Sequence, residues 1–228
     1  MAKKDDKTVA DTQKPARARG PNTRLTREDW IAAAMDALVK KSIDGVRVEV
    51  LAIDLGITKG SFYSYFSSRQ ELLNAILETW EKSATTNVIT RLEGGGKGPE
   101  ERLRTLYRLS TVRVPDTPGG PLELAIRAWS RRDQAVAEVV QAIDAQREKY
   151  IAKLFREIGF SAFDAKVRAT MYSAYLVGRN IFQQSGHPPE QLNVHRAVEE
   201  LLLGSSAPAP DEPKPKAPRE NGKAAPDL

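Results

Sequence analysis

The sequence predicts an all-α fold. Apolar residues recur at helical spacing from Thr26 to Leu203, no segment of any length alternates in the manner of a strand, and glycine or proline clusters fall where the runs break. The two clearest breaks are Gly94-Gly95-Gly96-Lys97-Gly98-Pro99 and Pro115 to Pro121. About nine helices are expected, and the chain contains no internal repeat.

The first helix opens at Thr26, whose hydroxyl can cap it, with Asp29 three residues on. Its apolar stripe is Trp30, Ala34 and Leu38 beside Ile31 and Met35, and it ends near Ser42, before Gly45. A second, short helix carries Val48, Leu51, Ala52 and Leu55, and Gly56 stops it because the residue after a helix often needs a positive φ. A third begins after Thr58 and is about two turns long. Ser68-Arg69-Gln70-Glu71 has the spacing of a capping box, so a fourth helix opens there, presents Leu72, Leu73, Ile76, Leu77 and Trp80, and runs to about Leu92. A helix of about 14 residues fits between the two breaks. Leu122 to Ser130, Asp133 to Ile158, Ser161 to Ser185 and Pro189 to Leu203 follow with the same period.

Residues 1–23 are polar, charged and without periodicity, and 205–228 carry six prolines. Both segments are expected to be disordered, since neither buries enough apolar area to offset the entropy of ordering. Charge is distributed unevenly. The net excess is only +5, yet Lys14, Arg17, Arg19, Arg24 and Arg27 occur with no acidic residue among them, whereas the tail is balanced. The front end therefore suits a polyanion. The absence of cysteine removes disulfides, thiolate nucleophiles and Cys-based zinc sites, the N-terminus is charged rather than apolar, and no run approaches the roughly 18 apolar residues of a membrane span. A cytoplasmic protein without membrane contact is expected.

The second and third helices, with the glycine between them, are spaced as a helix-turn-helix, in which the second helix enters the major groove of DNA. Its first turn is Thr58, Lys59, Gly60 and Ser61. Lys59 can donate to guanine acceptors, Ser61 can serve a base or a phosphate, and Gly60 permits close backbone approach. Phe62 and Phe66 lie four apart and belong in the small core, which turns Tyr63, Ser64 and Tyr65 partly outward, with hydroxyls that can hold phosphates.

From Leu25 to about Trp80 these residues resemble the tetracycline-repressor (TetR) family of bacterial transcriptional regulators. The pattern that carries the resemblance is Gly56-Ile57-Thr58-Lys59-Gly60-Ser61-Phe62-Tyr63, then Tyr65-Phe66, then Ser68-Arg69-Gln70-Glu71-Leu72. The resemblance implies a three-helix reader joined by the long fourth helix to a helical ligand-binding and dimerisation domain, with boundaries at 24–70 and 71–204. It assigns DNA contacts to Thr26, Arg47, Thr58, Lys59, Gly60, Ser61, Tyr63, Ser64, Tyr65 and Arg69, the tyrosines and Arg69 to phosphates and Lys59 to Ser61, with Ser64, to bases. Three positions depart from the usual pattern: Leu55 where alanine is common, Tyr65 where histidine is common and Arg69 where lysine is common. Glu49 stands where some relatives place a basic or polar contact, and is open to excluding a base or to facing solvent.

Arg17 and Arg19 can enter a minor groove beside the major groove being read, or serve as a solubilising tail. By resemblance, residues 161–204 pair two subunits and set the readers roughly 34–36 Å apart on a palindromic operator. Ala174 and Gly178, beside Val177 and Ile181, offer small residues for helix approach, and Val194, Val198, Leu201 and Leu202 keep helical spacing. A small-molecule effector of unknown identity would lie among the fourth to eighth helices, where Trp80, Tyr107, Trp129, Tyr172, Tyr175 and Phe182 are contributors or ordinary core. Ala128-Trp129-Ser130-Arg131-Arg132-Asp133 resembles a segment of one TetR subgroup and names no ligand. Neither a cofactor nor a metal is expected, since His195 and Glu199 supply two ligands without a third. Two other classes compete: an architectural DNA-binding protein without a ligand, and an enzyme, for which no Gly-x-Ser-x-Gly elbow or Walker loop is present.

Overall fold

The computed structural model describes residues 25–111, 119–182 and 189–204. The expected disordered ends, including Arg17 and Arg19, lie outside the described residues, as does the side chain of Phe182. Every regular element among the described residues is helical.

Helix α1 (Arg27–Lys41) starts at Thr26 in a complete capping box: Asp29 N–H donates to Thr26 Oγ1, and Thr26 N–H donates back to the Asp29 carboxylate. A 3₁₀ turn at Ile43–Gly45 leads to α2 (Val48–Asp54), and α3 (Lys59–Phe62) follows. Between them Gly56 adopts φ 69°, with Gly56 N–H donating to Ile53 C=O and Ile57 N–H to Ala52 C=O. This is a Schellman ending, which needs a left-handed residue and so favours glycine. The third helix is shorter than the expected two turns and continues as turns to Phe66.

Helix α4 (Arg69–Glu81) begins at Ser68, whose hydroxyl accepts Glu71 N–H. The reciprocal half of the expected capping box is displaced by one residue, because the Glu71 carboxylate accepts from Ser67 N–H and Ser67 Oγ instead of from Ser68. A π turn at Lys82–Thr86 then passes into α5 (Asn87–Gly94), so the expected fourth helix is one interrupted rod. The remaining helices are α6 (Pro99–Thr111), α7 (Gly119–Ser130), α8 (Gln134–Ile158), α9 (Ala162–Phe182) and α10 (Pro189–Leu203). Counting the rod once gives nine helices among the described residues. None of them is long and apolar enough to cross a membrane.

Two hydrophobic cores organise these helices. The first joins α1 to α4 with α7 and the first half of α8, through Trp30, Leu38, Phe62, Phe66, Ile76, Trp80, Ile126 and Val140. The second joins α5, α6, α9 and α10 with the second half of α8, through Leu103, Tyr107, Leu154, Phe155, Tyr172 and Leu202. The first core therefore runs across the line at residue 70 where the reader was expected to end, and packs the reader directly against α7.

Candidate nucleic-acid interface

The surface formed by α2, its glycine turn and α3 separates side chains by how they are held. Phe62 and Phe66 are fully buried; Phe62 meets Trp30 edge to face at 5.2 Å and stacks on Phe66 at 5.4 Å. This anchoring fixes the rotation of α3 and turns its other face outward. Tyr63 is 56% exposed, and Thr58, Lys59, Gly60 and Ser64 are exposed as well, while Ser61 is half-buried. The Thr58 hydroxyl makes no capping bond to its own helix. Gly60 has no positive φ, and a Cβ placed there would meet only Thr58 Oγ1, at 3.7 Å. Among the described residues nothing requires glycine at that point.

Two residues expected on phosphates have inward partners. The Tyr65 hydroxyl donates to Leu25 C=O at 2.5 Å, tying the turn after α3 to the entry of α1. Its single proton is thereby used within the protein, and a phosphate, which only accepts, would have to compete for it. Arg69 Nε donates to Val46 C=O at 2.6 Å and Nη2 to Ile43 C=O at 2.9 Å, so its guanidinium bridges the start of α4 to the loop before α2 and leaves Nη1 for a further acceptor. Thr26 is engaged in its capping box, and Arg47 is exposed at the N-cap of α2.

The contact that sequence reasoning missed is between Glu49 and Lys59. Lys59 Nζ donates to Glu49 Oε1 at 2.6 Å, joining α2 to α3 across the turn. That hydrogen bond holds the Glu49 carboxyl below the usual carboxylate range and raises Lys59 above the usual lysine value. Opposite charges ten positions apart on adjoining helices of a helix-turn-helix were the available signal.

Of the six aromatics expected near an effector, the five whose side chains are described fall into two groups. Trp80 and Trp129 belong to the first core, and both indoles donate to carboxylates, Trp80 Nε1 to Glu123 at 3.0 Å and Trp129 Nε1 to Asp133 at 3.3 Å. Tyr107, Tyr172 and Tyr175 meet in the second: Tyr107 stacks on Tyr175 at 5.8 Å, lies edge-on to Tyr172 at 6.1 Å, and Tyr172 donates to Leu103 C=O. Burial pushes the Tyr107 and Tyr172 hydroxyls well above the ordinary phenol range. The sequence also gave no notice of a charged cluster beneath the π turn. Glu123 there accepts from Trp80, Arg127 and Arg147, Arg147 Nε also donates to the buried Thr85, and Arg127 makes a two-point contact with Asp144. Among the described residues no cluster of three or more metal-ligating side chains occurs.

The family model for bacterial regulatory proteins of the tetR family matches residues 31–76, from α1 into α4. Tetracycline repressor protein class A from transposon 1721 of Escherichia coli is 25% identical over 213 residues, covering 89% of this chain and 88% of that protein. Reduced NemR of Escherichia coli superposes with a TM-score of 0.62 at 17% identity, over 79% of this chain and 99% of that one. AibR, solved with isovaleryl coenzyme A and operator DNA, superposes with a TM-score of 0.62 at 15% identity, over 78% and 97%. The structural likenesses establish the fold. With its anchored α3, its glycine turn and the family match over residues 31–76, the chain carries a segment similar to the helix-turn-helix of tetR-family transcriptional regulators.

Proposed function

We propose that the protein is a repressor that binds a palindromic operator as a homodimer and releases it when a small molecule binds. The observation that carries the DNA reading is the outward face of α3, where Gly60 is bare without internal need and Thr58, Tyr63 and Ser64 present free hydroxyl-bearing side chains around it. Thr58 to Ser61 and Ser64 face base edges, and Tyr63 with the remaining Arg69 donor holds phosphates. AibR, whose structure contains operator DNA and an acyl coenzyme A, is a precedent for both kinds of partner in one fold.

The homodimer reading is supported by a stripe on α9. Phe163, Val167, Met171 and Ile181 are exposed apolar residues at positions i, i+4, i+8 and i+18, with exposed Ala174 on the same line; Val194 and Leu201 of α10 are exposed too. Large apolar side chains in a continuous exposed line mark a surface that another chain covers. An effector would act near Tyr107, Tyr172 and Tyr175, whose helices flank α8. Displacement of α8 reaches the reader through Arg147, which holds Thr85 and Glu123 at the π turn, and then through α4 to Arg69 and the loop ahead of α2.

Selection of bound fragments from genomic DNA tests the operator reading, and a protein that enriches no two-fold-related site refutes it. Met171→Glu should convert a dimer to a monomer in sedimentation and weaken operator binding at least tenfold, since each half-site then binds alone. A metabolite that raises the melting temperature and also releases DNA identifies the effector.

A further inference from the structure

The face that meets DNA carries a carboxylate, which the phosphates would ordinarily repel. Glu49 is the second residue of α2 and 52% of its side chain is exposed, so no core requirement places it there. It is not a bare charge. Lys59 Nζ stands 2.6 Å from its Oε1, with Lys59 itself 50% exposed, and the exposed Arg47 lies close enough to add to the local positive potential. The two side chains form a neutral, pre-set unit bridging the helix that crosses the backbone and the helix that enters the groove.

The unused valences of this unit have an order. An ammonium has three N–H donors, of which one goes to Glu49 and two remain; the carboxylate keeps the lone pairs of its second oxygen. The pair thus offers two donors beside one acceptor, held side by side by the 2.6 Å contact between Nζ and Oε1. In the major groove a G·C pair presents two neighbouring acceptors, guanine N7 and O6, and then one donor, cytosine N4, at the end of the series. An A·T pair presents its single donor, adenine N6, between two acceptors, N7 and thymine O4, so a carboxylate aimed at it meets an acceptor on either side.

We infer that Lys59 and Glu49 read one G·C base pair in each half-site as a unit, Lys59 donating to guanine N7 and O6 and Glu49 accepting from cytosine N4. The inference rests on the operator-binding reading above. It makes Glu49 a specificity-determining residue, which favours cytosine by a direct bond and excludes other bases by the acceptors they present. Because the two side chains already hold each other, less rotamer freedom is lost when DNA arrives.

The test uses full-length protein and selection from a randomised duplex library, with wild type, Glu49→Ala, Glu49→Gln, Lys59→Ala and the double variant Glu49→Ala/Lys59→Ala. Both residues are half exposed, so melting temperatures should stay within a few degrees of wild type. Wild type should select G·C at one position per half-site. Glu49→Ala and Glu49→Gln should relax that position roughly tenfold, keep the preferences elsewhere, and bind non-specific DNA more tightly because a negative charge has gone. Lys59→Ala should bind more weakly than the double variant, since it leaves Glu49 unneutralised beside the phosphates. An operator whose preferences are unchanged at every position in Glu49→Ala overturns the inference alone, as does a change confined to an A·T position. A wild-type protein that selects no duplex overturns the operator-binding reading and this inference with it.

Discussion

The core that carries the reading helix and the core beneath α10 use the same local devices and different chemistry at their edges. Each is entered through a helix ending of the Schellman type. At Gly56 the following Ile57 packs back on the first core; at Gly159, φ 111°, Phe160 packs edge-on against Phe155 at 5.7 Å in the second. The polar tips then differ. In the first core the Trp80 and Trp129 indoles point at carboxylates, and Glu123 binds two guanidinium groups, so a charged cluster sits against apolar packing. In the second the tips are phenols, with Tyr107, Tyr150 and Tyr172 buried. The first core is thus held by directional contacts that tie α4 to α7 and α8, which suits a reader whose position must be fixed. The second stacks Tyr107 on Tyr175, and its ion pairs, Glu93 with Arg102 and Lys153 and Arg104 with Glu200, lie nearer the surface than the Glu123 cluster.

Substitution at the centre of each core should give the largest effects. Phe62→Ala and Phe155→Ala both remove a fully buried ring and should each cost about 4 kcal/mol in denaturant unfolding. Amide exchange should separate them, with protection lost first in α1 to α4 for Phe62→Ala and first in α6, α8 and α9 for Phe155→Ala; identical exchange patterns would mean that the two cores are one cooperative unit.

Next in size is Glu123→Ala, which leaves Arg127 with Asp144 alone, and Arg147 and the Trp80 indole without their shared acceptor. Removing one partner from a largely buried cluster should cost about 3 kcal/mol, read as a fall in melting temperature. Glu123→Gln should recover part of that loss, because it retains an oxygen that can accept.

Alkaline titration should act mainly on the second core. Burial, with the Glu93 charge beside it, pushes the Tyr150 phenol up to about 12, and burial raises Tyr107 and Tyr172 as well. A phenol raised in the folded state contributes stability that is present below its unfolded value near pH 10 and lost as pH climbs through its folded value. Tyrosinate absorbance followed together with exchange should therefore show α6 and α9 loosening above about pH 10 before α1 and α2 do.

The smallest effect on stability is expected on the reading surface. Gly60→Ala should change stability by less than about 1 kcal/mol, and in the favourable direction, because its backbone is helical and the space outside is open. Gly56→Ala should cost about 1 kcal/mol, since φ 69° strains any residue with a Cβ. Operator affinity should rank them the other way, with Gly60→Ala the more damaging in a mobility-shift titration. Equal losses of affinity would show that Gly60 does not lie against DNA.

Much of this molecule was legible in the sequence because much of it is local. The capping box at Thr26, the glycine turn at 56, the apolar stripe of α1 and the pairing of Phe62 with Phe66 each depend on residues within one or two turns. The box at Ser68 marks the limit of that legibility. Its spacing is correct, but Glu71 had a second serine within reach and took it. Tyr65 and Arg69 were expected on phosphates because their chemistry suits them; each also donates to a carbonyl, 40 and 26 positions away, while Arg69 stays exposed.

By itself, then, the sequence determined most helix boundaries, which face of each helix is apolar and which segment has the spacing of a helix-turn-helix, since backbone conformation and helix periodicity act over a few residues. Only the tertiary structure decided which aromatics share a core, that Glu123 gathers Trp80, Arg127 and Arg147, and that Glu49 meets Lys59 across the turn. Those outcomes depend on how separate helices dock, and a charged or aromatic side chain has many partners of suitable chemistry until packing brings one of them within bonding distance.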